Sequence, residues 1–451
     1  MKRLITLAIM VAFILGTVGM AQAIQIQAKG DWQISTNYVK NPRLVDDFDD
    51  DKFQAVQRLR SAFEFVANEN LKAVFRFHVE NRWGEPGRGI GVSANQGGRD
   101  TIGYDLAYLD FMIPNTSINF KVGKQLVTLP GTVGSHIFDN FAYSVVGAAS
   151  FHEMVGLAAG WSRLGDATQF GQDTTGDGFS DTRLKDEWDM FFAIVPVTMD
   201  GFQLNPFGAF VRAGRDVFAG QDTSQTTWFA GINATIDLLD PIVIMADFNY
   251  GSSGRLVRGT NIGETKGWIA ALAVQYKMDM FTPMIYGLYE SGESSTSGDG
   301  TSKGKRMPNL GQGDLYGISS FGFNGSNFRG QGRARLNSGN IFAGTPFAGI
   351  GDNEPWGASG KWGVGFKLLN IEFVENLSHE FQIAYYKGTN HRDSVGILTT
   401  RDYAWETNFN TTYQMYENLA AILELGYLDV NHDVVDLDAA WKAAFGLRYR
   451  F

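Results

Sequence analysis

The sequence contains no cysteine, and after its first 23 residues it has no run of roughly 18 consecutive apolar residues, the length that a transmembrane helix needs. The lack of cysteine excludes disulfides, thiol catalysis and cysteine-ligated metals. Acidic residues outnumber basic ones by 48 to 38, which argues against nucleic acid as a partner. Glycine, with 54 residues, and aromatic residues, at 13%, are abundant although the mean hydropathy is only −0.14.

Residues 1–23 have the features of a secretory signal peptide. Lys2 and Arg3 precede an apolar run from Leu4 to Val18, and a small-residue cleavage pattern ends at Ala23. We therefore expect an exported protein whose mature chain is 24–451. A membrane anchor is the less favoured alternative because the apolar run is short.

A period of two runs through the rest of the chain. In LKAVFRFHVENRW, residues 71–83, the even positions carry most of the charge and the odd positions are mostly large and apolar. The same alternation recurs over 24–35, 53–65, 361–368, 403–413 and 440–451. It predicts β-strands with one apolar and one polar face. A soluble antiparallel sandwich and a transmembrane barrel both fit such strands.

The connections favour the barrel, because short turns alternate with long polar stretches. Long stretches lie at 37–52, 84–101, 163–186, 252–265, 292–357 and 390–401. Short turns on one rim and long loops on the other are typical of barrels in the outer membrane of Gram-negative bacteria. We predict an all-β fold: a transmembrane antiparallel β-barrel of 16 to 18 strands, with 18 favoured, and 292–357 as a long outer loop. The uncertainty in strand number lies at 127–163, which fits one strand after an inserted loop or two strands with a turn near Ser150.

Closing the barrel brings the polar faces of the first three strands and the last strand together. Those faces supply a set of basic residues that we call the basic wall: Lys29, Arg58, Arg60, Lys72, Arg76, His78, Arg82, Lys442, Arg448 and Arg450. Glu64 and Glu80 share these pore-lining faces. Such a wall can set ion preference, with Arg58, Arg60 and Arg76 nearest the constriction. The alternative is internal pairing of the basic residues with Glu64, Glu80 and Asp31.

A partial calcium-loop pattern occupies 173–184, DTTGDGFSDTRL. Asp173, Thr175, Asp177, Phe179 and Asp181 fall at the first, third, fifth, seventh and ninth positions of an EF-hand-type loop. The twelfth position is Leu184 in place of a bidentate glutamate. An acidic surface loop is therefore favoured over a Ca²⁺ site, and the predicted function requires no cofactor.

An enzyme is not predicted. The six histidines show no metal-ligand spacing, and the GxSxG motif is absent. The adjacent Ser135 and His136 would point to opposite faces of an extended chain, so they do not form a nucleophile and base.

The closing residues GLRYRF, with Tyr449 and Phe451 at two-residue spacing, resemble the C-terminal strand of bacterial outer-membrane proteins. The whole chain after residue 23 is similar to the homotrimeric porins of sulfate-reducing bacteria. The resemblance implies a trimer of water-filled barrels, embedded in outer-membrane lipid, for small hydrophilic solutes. It also implies that the insertion machinery reads the terminal aromatic. A loop folded into the lumen after the fifth strand would correspond to about 129–150, where Asp139 is the only acidic residue.

The function expected is passive diffusion through a water-filled channel. One alternative is a substrate-specific channel, which needs a path of aromatic residues along the lumen, and Tyr386 is the single candidate. The other alternative is a structural or adhesive barrel whose lumen is blocked.

Overall fold

The computed structural model describes residues 24–41, 44, 51–83, 101–133, 137–166, 187–214, 217, 223–261, 263–294, 303–308, 310, 360–393, 398–433 and 436–451. Its strands are β1 Gln25–Lys40, β2 Lys52–Asn68, β3 Leu71–Arg82, β4 Thr101–Met112, β5 Ile118–Thr128, β6 Asp139–His152, β7 Val155–Asp166, β8 Glu187–Ile194, β9 Val197–Met199, β10 Phe202–Ala213, β11 Gln225–Leu239, β12 Ile242–Ser253, β13 Thr265–Tyr276, β14 Thr282–Glu290, β15 Lys361–Val374, β16 Leu377–Gly388, β17 Tyr403–Tyr416, β18 Leu419–Asn431 and β19 Ala440–Arg450. No helix in these ranges is long and apolar enough to span a membrane.

The strands form one closed antiparallel barrel. Each strand pairs with its sequence neighbours, and β19 returns to pair with β1. The short strands β8 and β9 both lie between β7 and β10, so they make one crossing that is interrupted at Val195 and Pro196. The barrel therefore has 18 crossings, which confirms the favoured strand number.

The two rims differ as predicted. At one rim, which we call the short-turn rim, the strands are joined by brief turns such as 69–70, 153–154 and 417–418, and the chain ends at Phe451. The other rim, the long-loop rim, carries the long connections, among them 83–100, 167–186 and 291–360. Inward side chains are buried and outward ones exposed: in β1, Gln33 and Ser35 are buried, whereas Trp32 is 41% exposed. This is the strand-by-strand alternation of a membrane barrel.

The segment 127–163 contains two strands, β6 and β7, joined by a turn at Glu153 and Met154. The constriction loop expected at about 129–150 is therefore shorter, because only 129–138 lies between strands. Asp139 is not in the loop but is the first residue of β6, where it accepts a hydrogen bond from the Thr128 hydroxyl (2.7 Å). The alternation of apolar and small residues after Asp139 suits a barrel strand.

The hairpin formed by β5 and β6 leaves the barrel wall near the long-loop rim. β5 pairs with β4 only as far as Lys124, opposite Ala107, and β6 pairs with β7 only from Tyr143, opposite Arg163. Beyond these points β5 and β6 pair with each other alone. We call 125–142 the inward hairpin. It departs at Gly123, whose φ of +132° is rarely adopted by a residue with a side chain.

The inward hairpin crosses the lumen. Its apolar residues Leu129 and Phe138 are buried with Met190, Phe207 and Phe229, which face inward from β8, β10 and β11. A second buried cluster, around Tyr286 and Tyr386, fills the lumen beside β13 to β18 and includes Val133 from the hairpin tip. The remaining lumen lies beside the basic wall.

Candidate functional site: the basic wall of the lumen

Beside the short-turn rim, the basic wall is paired with acidic residues. The ammonium groups of Lys29 and Lys72 donate to the two carboxylate oxygens of Glu64, at 2.9 and 3.1 Å. The Arg448 guanidinium donates through Nε to Asp31 (2.7 Å), and Arg450 Nε lies 3.7 Å from the same carboxylate. Lys29 and Arg450 nevertheless keep 63% and 65% of their side chains exposed.

At mid-height, the carboxylate of Asp105 is the shared partner of three basic residues. Asp105 accepts two hydrogen bonds from Arg76, at 2.7 and 2.9 Å, and lies 3.5 Å from Arg60 Nε and 3.8 Å from His78 Nδ1. Asp105 reaches the lumen because the register between β3 and β4 shifts beside it: Arg76 lies opposite Leu106, and Phe77 lies opposite Tyr104. Such a bulge re-aims a side chain.

Toward the long-loop rim, the pairs are more deeply buried. Arg58 donates to the amide oxygen of Gln33 (3.2 Å) and lies 3.8 Å from Glu80. Lys442 donates to Glu424 at 2.5 Å, and both side chains are almost fully buried. Arg82 ends β3 at this rim, and its side chain lies outside the described part of the chain.

Two expectations were stated for the basic wall: unpaired charge that sets ion preference, and internal pairing with acidic residues. The structure shows features of both. Internal pairing is extensive, and two further acids, Asp105 and Glu424, join the three that were considered. In these ion pairs eight cations share five carboxylates, which leaves an excess of positive charge.

The inward hairpin faces the middle of the basic wall. The ring centroid of Phe141 lies 5.2 Å from the Arg76 guanidinium carbon and 6.0 Å from that of Arg60, within reach of a cation–π contact. Asp139 lies two residues from Phe141, on the same face of β6. Arg60 and Arg76, with 30% and 22% of their side chains exposed, thus lie where the hairpin comes closest to the described basic wall.

The hairpin tip is tethered to the opposite wall. The backbone amides of Thr132 and Val133 donate to the Asp247 carboxylate on β12, and the two Thr132 contacts measure 2.9 and 3.0 Å. Asp247 is 3% exposed. Hydrogen bonds to an ionised acceptor are among the stronger ones, so this tether holds the hairpin across the lumen.

The lumen beside β13 to β18 does not supply an aromatic path. Tyr386 points inward, as expected from its polar strand face, but it is fully buried against Tyr286. Gln382 donates to the Tyr286 hydroxyl (3.1 Å).

Sequence reasoning missed Asp105 and Asp247. The first leaves a signal, because the apolar positions of β4 change from even (Ile102, Tyr104) to odd (Ala107, Leu109) on either side of Asp105. Such a change of phase predicts a bulge. Asp247 has no such signal: it is one polar residue on a polar strand face, and its partner is more than a hundred residues away.

The partial calcium-loop pattern, with Asp173, Thr175, Asp177, Phe179 and Asp181, lies outside the described residues. Within the described ranges, no group of three or more His, Cys, Asp or Glu residues is placed to hold a metal ion.

The closing strand forms the seam of the barrel. Tyr449 and Phe451 both point outward, their rings are stacked 5.6 Å apart, and Phe451 exchanges two backbone hydrogen bonds with Gly30 of β1. A Cβ on Gly30 would lie 2.2 Å from the Phe451 ring. The terminal ring therefore lies flat over the strand to which it closes.

Comparisons with known proteins agree with this architecture. No protein-family model matches the sequence, and no curated protein is similar to it. Among solved structures, the outer membrane protein OprD from Pseudomonas aeruginosa has a TM-score of 0.53 at 12% identity, covering 96% of this chain and 95% of that chain. OccAB4 from Acinetobacter baumannii has a TM-score of 0.56 at 10% identity, covering 96% of this chain and 99% of that chain.

Pseudomonas aeruginosa OpdK, solved with vanillate, has a TM-score of 0.53 at 12% identity, covering 94% of this chain and 98% of that chain. At these identities the likeness concerns the fold. The chain thus has the closed 18-stranded antiparallel barrel fold of these outer-membrane proteins.

Proposed function

We propose that the protein is an outer-membrane porin that lets small hydrophilic solutes diffuse through a water-filled lumen, with a preference for anions. The observation that carries the proposal is the basic wall, which retains water-exposed cations from Lys29 and Arg450 at the short-turn rim to Arg60 and Arg76 at mid-height. Passage of solutes is the function that this arrangement supports.

Small carboxylates are the solute class that suits the wall best. Arginine forms two parallel hydrogen bonds with a carboxylate, as Arg76 does with Asp105. A carboxylate solute can replace such internal partners one after another along the wall. Vanillate, the compound in the OpdK structure, is itself a carboxylate.

The location and assembly belong to the same proposal. Cleavage after Ala23 would export the chain, and the long-loop rim would face the outside of a Gram-negative cell, as in other outer-membrane barrels. The insertion machinery would read Tyr449 and Phe451, and three copies would assemble in the outer-membrane lipid.

A barrel with a blocked lumen is the second candidate. It is favoured by one observation, the burial of Tyr286, Tyr386, Phe138 and Phe229 inside the lumen. This candidate predicts a barrel that folds without conducting.

Planar-bilayer recording of the refolded protein under a salt gradient tests both candidates. We expect current steps, in groups of three for a trimer, with a reversal potential of the sign given by anion preference. Arg76→Gln should reduce that preference, whereas Lys387→Gln, which removes a charge from the outer surface of β16, should leave it unchanged. Absence of steps from folded protein would overturn the channel, and a cation-selective reversal potential would overturn the role of the basic wall.

A further inference from the structure

The outer surface of the barrel carries two kinds of side chain near the long-loop rim. Along β11 to β19 they include aromatic rings in contact, interrupted by the single lysines Lys266 and Lys387: the ring centroids of Trp268 and Tyr289 lie 4.7 Å apart, and those of Tyr427 and Trp441 lie 4.5 Å apart. Such a girdle suits the headgroup level of a membrane. Along β5 to β10, by contrast, the outward positions near this rim carry charges.

The charges form a continuous row across neighbouring strands. Lys124 lies opposite Tyr143, Tyr143 opposite Arg163, Arg163 opposite Asp189, and Asp189 opposite Arg212. We call these five residues the cationic row. Adjacent strands are about 4.8 Å apart, so the row spans about 19 Å of the outer surface.

These residues point away from the lumen. Their neighbours along the strands are buried on the lumenal side, namely Gln125, Ser144, Met190 and Val211. Since successive side chains of a strand point to opposite faces, the cationic row faces outward.

The row has donors that the protein leaves available. The Lys124 ammonium donates to the Tyr104 carbonyl (3.0 Å) and lies 4.6 Å from the Tyr104 ring centroid, which leaves two of its three N–H groups. The hydroxyls of Tyr104 and Tyr143 lie 2.8 Å apart and share one proton, so one phenolic proton remains. Among the described residues, neither Lys124 nor Arg212 forms an ion pair.

The single acid of the row does not neutralise it. Asp189 accepts from Arg163 Nε (2.6 Å) and from the Trp161 indole N–H (2.9 Å). Three cations face one carboxylate within the row, and Glu187 lies two residues from Asp189 on the same face of β8, so the row with this flank keeps an excess of one positive charge.

An apolar row lies directly beneath the cationic row. Two residues closer to the short-turn rim, four of the five strands present an exposed apolar side chain: Val122, Val145, Phe191 and Phe210 are 36%, 36%, 50% and 45% exposed. A soluble anion would need only the charges. Cations above an apolar strip match an amphiphile with an anionic headgroup and acyl chains.

We propose that the cationic row binds the phosphates of an outer-leaflet glycolipid, whose acyl chains lie on the apolar row. The inference rests on the proposed membrane location but not on conduction through the lumen. It accounts for lysine and arginine on a lipid-facing surface, where such charges are unfavourable at the bilayer midplane and tolerated at the headgroup level.

Native mass spectrometry of the refolded protein in detergent tests the site. The probes are lipid A with two phosphates and the same lipid after removal of both phosphates. We expect the phosphorylated lipid to remain bound at concentrations at which the dephosphorylated lipid is lost. Equal retention of the two lipids by the unsubstituted protein would overturn the proposal without the need for a variant.

Variants locate the site on the barrel. Lys124→Gln with Arg212→Gln should weaken binding of phosphorylated lipid A about tenfold or more, because two charge-assisted contacts are lost. Lys124→Arg with Arg212→Lys keeps the charges and should retain binding. Lys387→Gln, outward near the same rim but within the aromatic arc, is the matched control.

An equal loss in the control would overturn the assignment to the cationic row. A variant whose trimer dissociates while its lipid occupancy is unchanged would also overturn it, since the row would then be an interface between copies. Planar-bilayer recording remains separate: a barrel that binds lipid A but does not conduct would refute the channel alone.

Discussion

Asp105 shows how one side chain sets the electrostatics of the lumen. It is the shared partner of Arg60, Arg76 and His78, and its side chain is only 6% exposed. Without the bulge that turns it inward, the middle of the wall would carry no carboxylate within reach of these groups. The wall's mid-height charge therefore depends on a local break in strand register.

Replacing Asp105 should increase anion preference. Asp105→Asn removes one negative charge beside Arg60 and Arg76. The reversal potential in a salt gradient should therefore shift toward the value expected for a pore permeable to anions alone. Removing one partner of a fully buried ion pair typically costs about 3 kcal/mol of stability. The loss should be smaller here, because Arg60 and Arg76 retain solvent contact.

The matched control is Asp237→Asn, which removes the same charge from an exposed ion pair with Lys277 at the short-turn rim. If Asp105→Asn instead moves the reversal potential toward the value of a pore permeable to cations alone, this carboxylate does not neutralise the wall.

At the scale of the strand, Gly123 permits the inward hairpin. A Cβ there would meet the Ala107 carbonyl oxygen at 2.3 Å and the Tyr108 Cα at 2.8 Å, and the positive φ adds backbone strain. Both contacts are with the backbone of β4, which cannot move without breaking the pairing below it. Glycine at this position is therefore a requirement of the bend.

Gly123→Ala should destabilise the barrel by about 2 kcal/mol or more. Urea unfolding in detergent, followed by tryptophan fluorescence, measures the change. Gly208→Ala, for which the nearest atom lies at 3.7 Å, is the control and should change stability little. Equal stability of the two variants would show that β5 does not need the positive φ.

The seam between the first and last strands depends on a similar fit. Gly30 accommodates the Phe451 ring, and rings laid over glycine in this way are a known device for stabilising strand pairs. The ring also covers the point at which the barrel closes.

Gly30→Ala and Phe451→Ala should both lower the temperature at which the folded band on a gel converts to the unfolded one. The expected loss is about 1 kcal/mol for each, and the double variant should lose less than the sum, because both changes disturb one contact. Gly287→Ala, an outward glycine away from the seam, serves as the control. Full additivity would mean that the two residues act independently.

At the scale of the whole molecule, the inward hairpin divides the lumen. Its apolar side packs on β8 to β11, its Phe141 side faces the basic wall, and its tip is held by Asp247. The basic wall and the tethered hairpin thus face each other across the middle of the barrel.

Asp247→Ala should release the tip and raise single-channel conductance or add rapid fluctuations of current. The carboxylate accepts from two backbone amides, so its removal leaves two buried donors without a partner, at a cost of about 1–3 kcal/mol each. Single-channel recording checks the result, with Asp237→Asn as a control acid at the short-turn rim that does not contact the hairpin. Unchanged conductance would mean that the apolar packing of Leu129 and Phe138 alone holds the hairpin.

The period of two and the placement of turns were sufficient to predict the barrel, a strand number of 16 to 18 with 18 favoured, its two unlike rims and the inward direction of Arg58, Arg60 and Arg76. These features depend on local geometry, since each strand must separate lipid from water along its own length. The outward aromatic residues near the rims follow from the same rule.

The tertiary structure alone decided which charges meet. Asp105 joins the wall through a bulge, Asp247 meets the hairpin across the lumen, and Lys124, Arg163 and Arg212 align only because five strands are in a particular register. Long-range contacts of this kind depend on strand register and on where a hairpin leaves the wall. A single strand's pattern does not contain that information, because the same alternation is compatible with every register that keeps the apolar face outward.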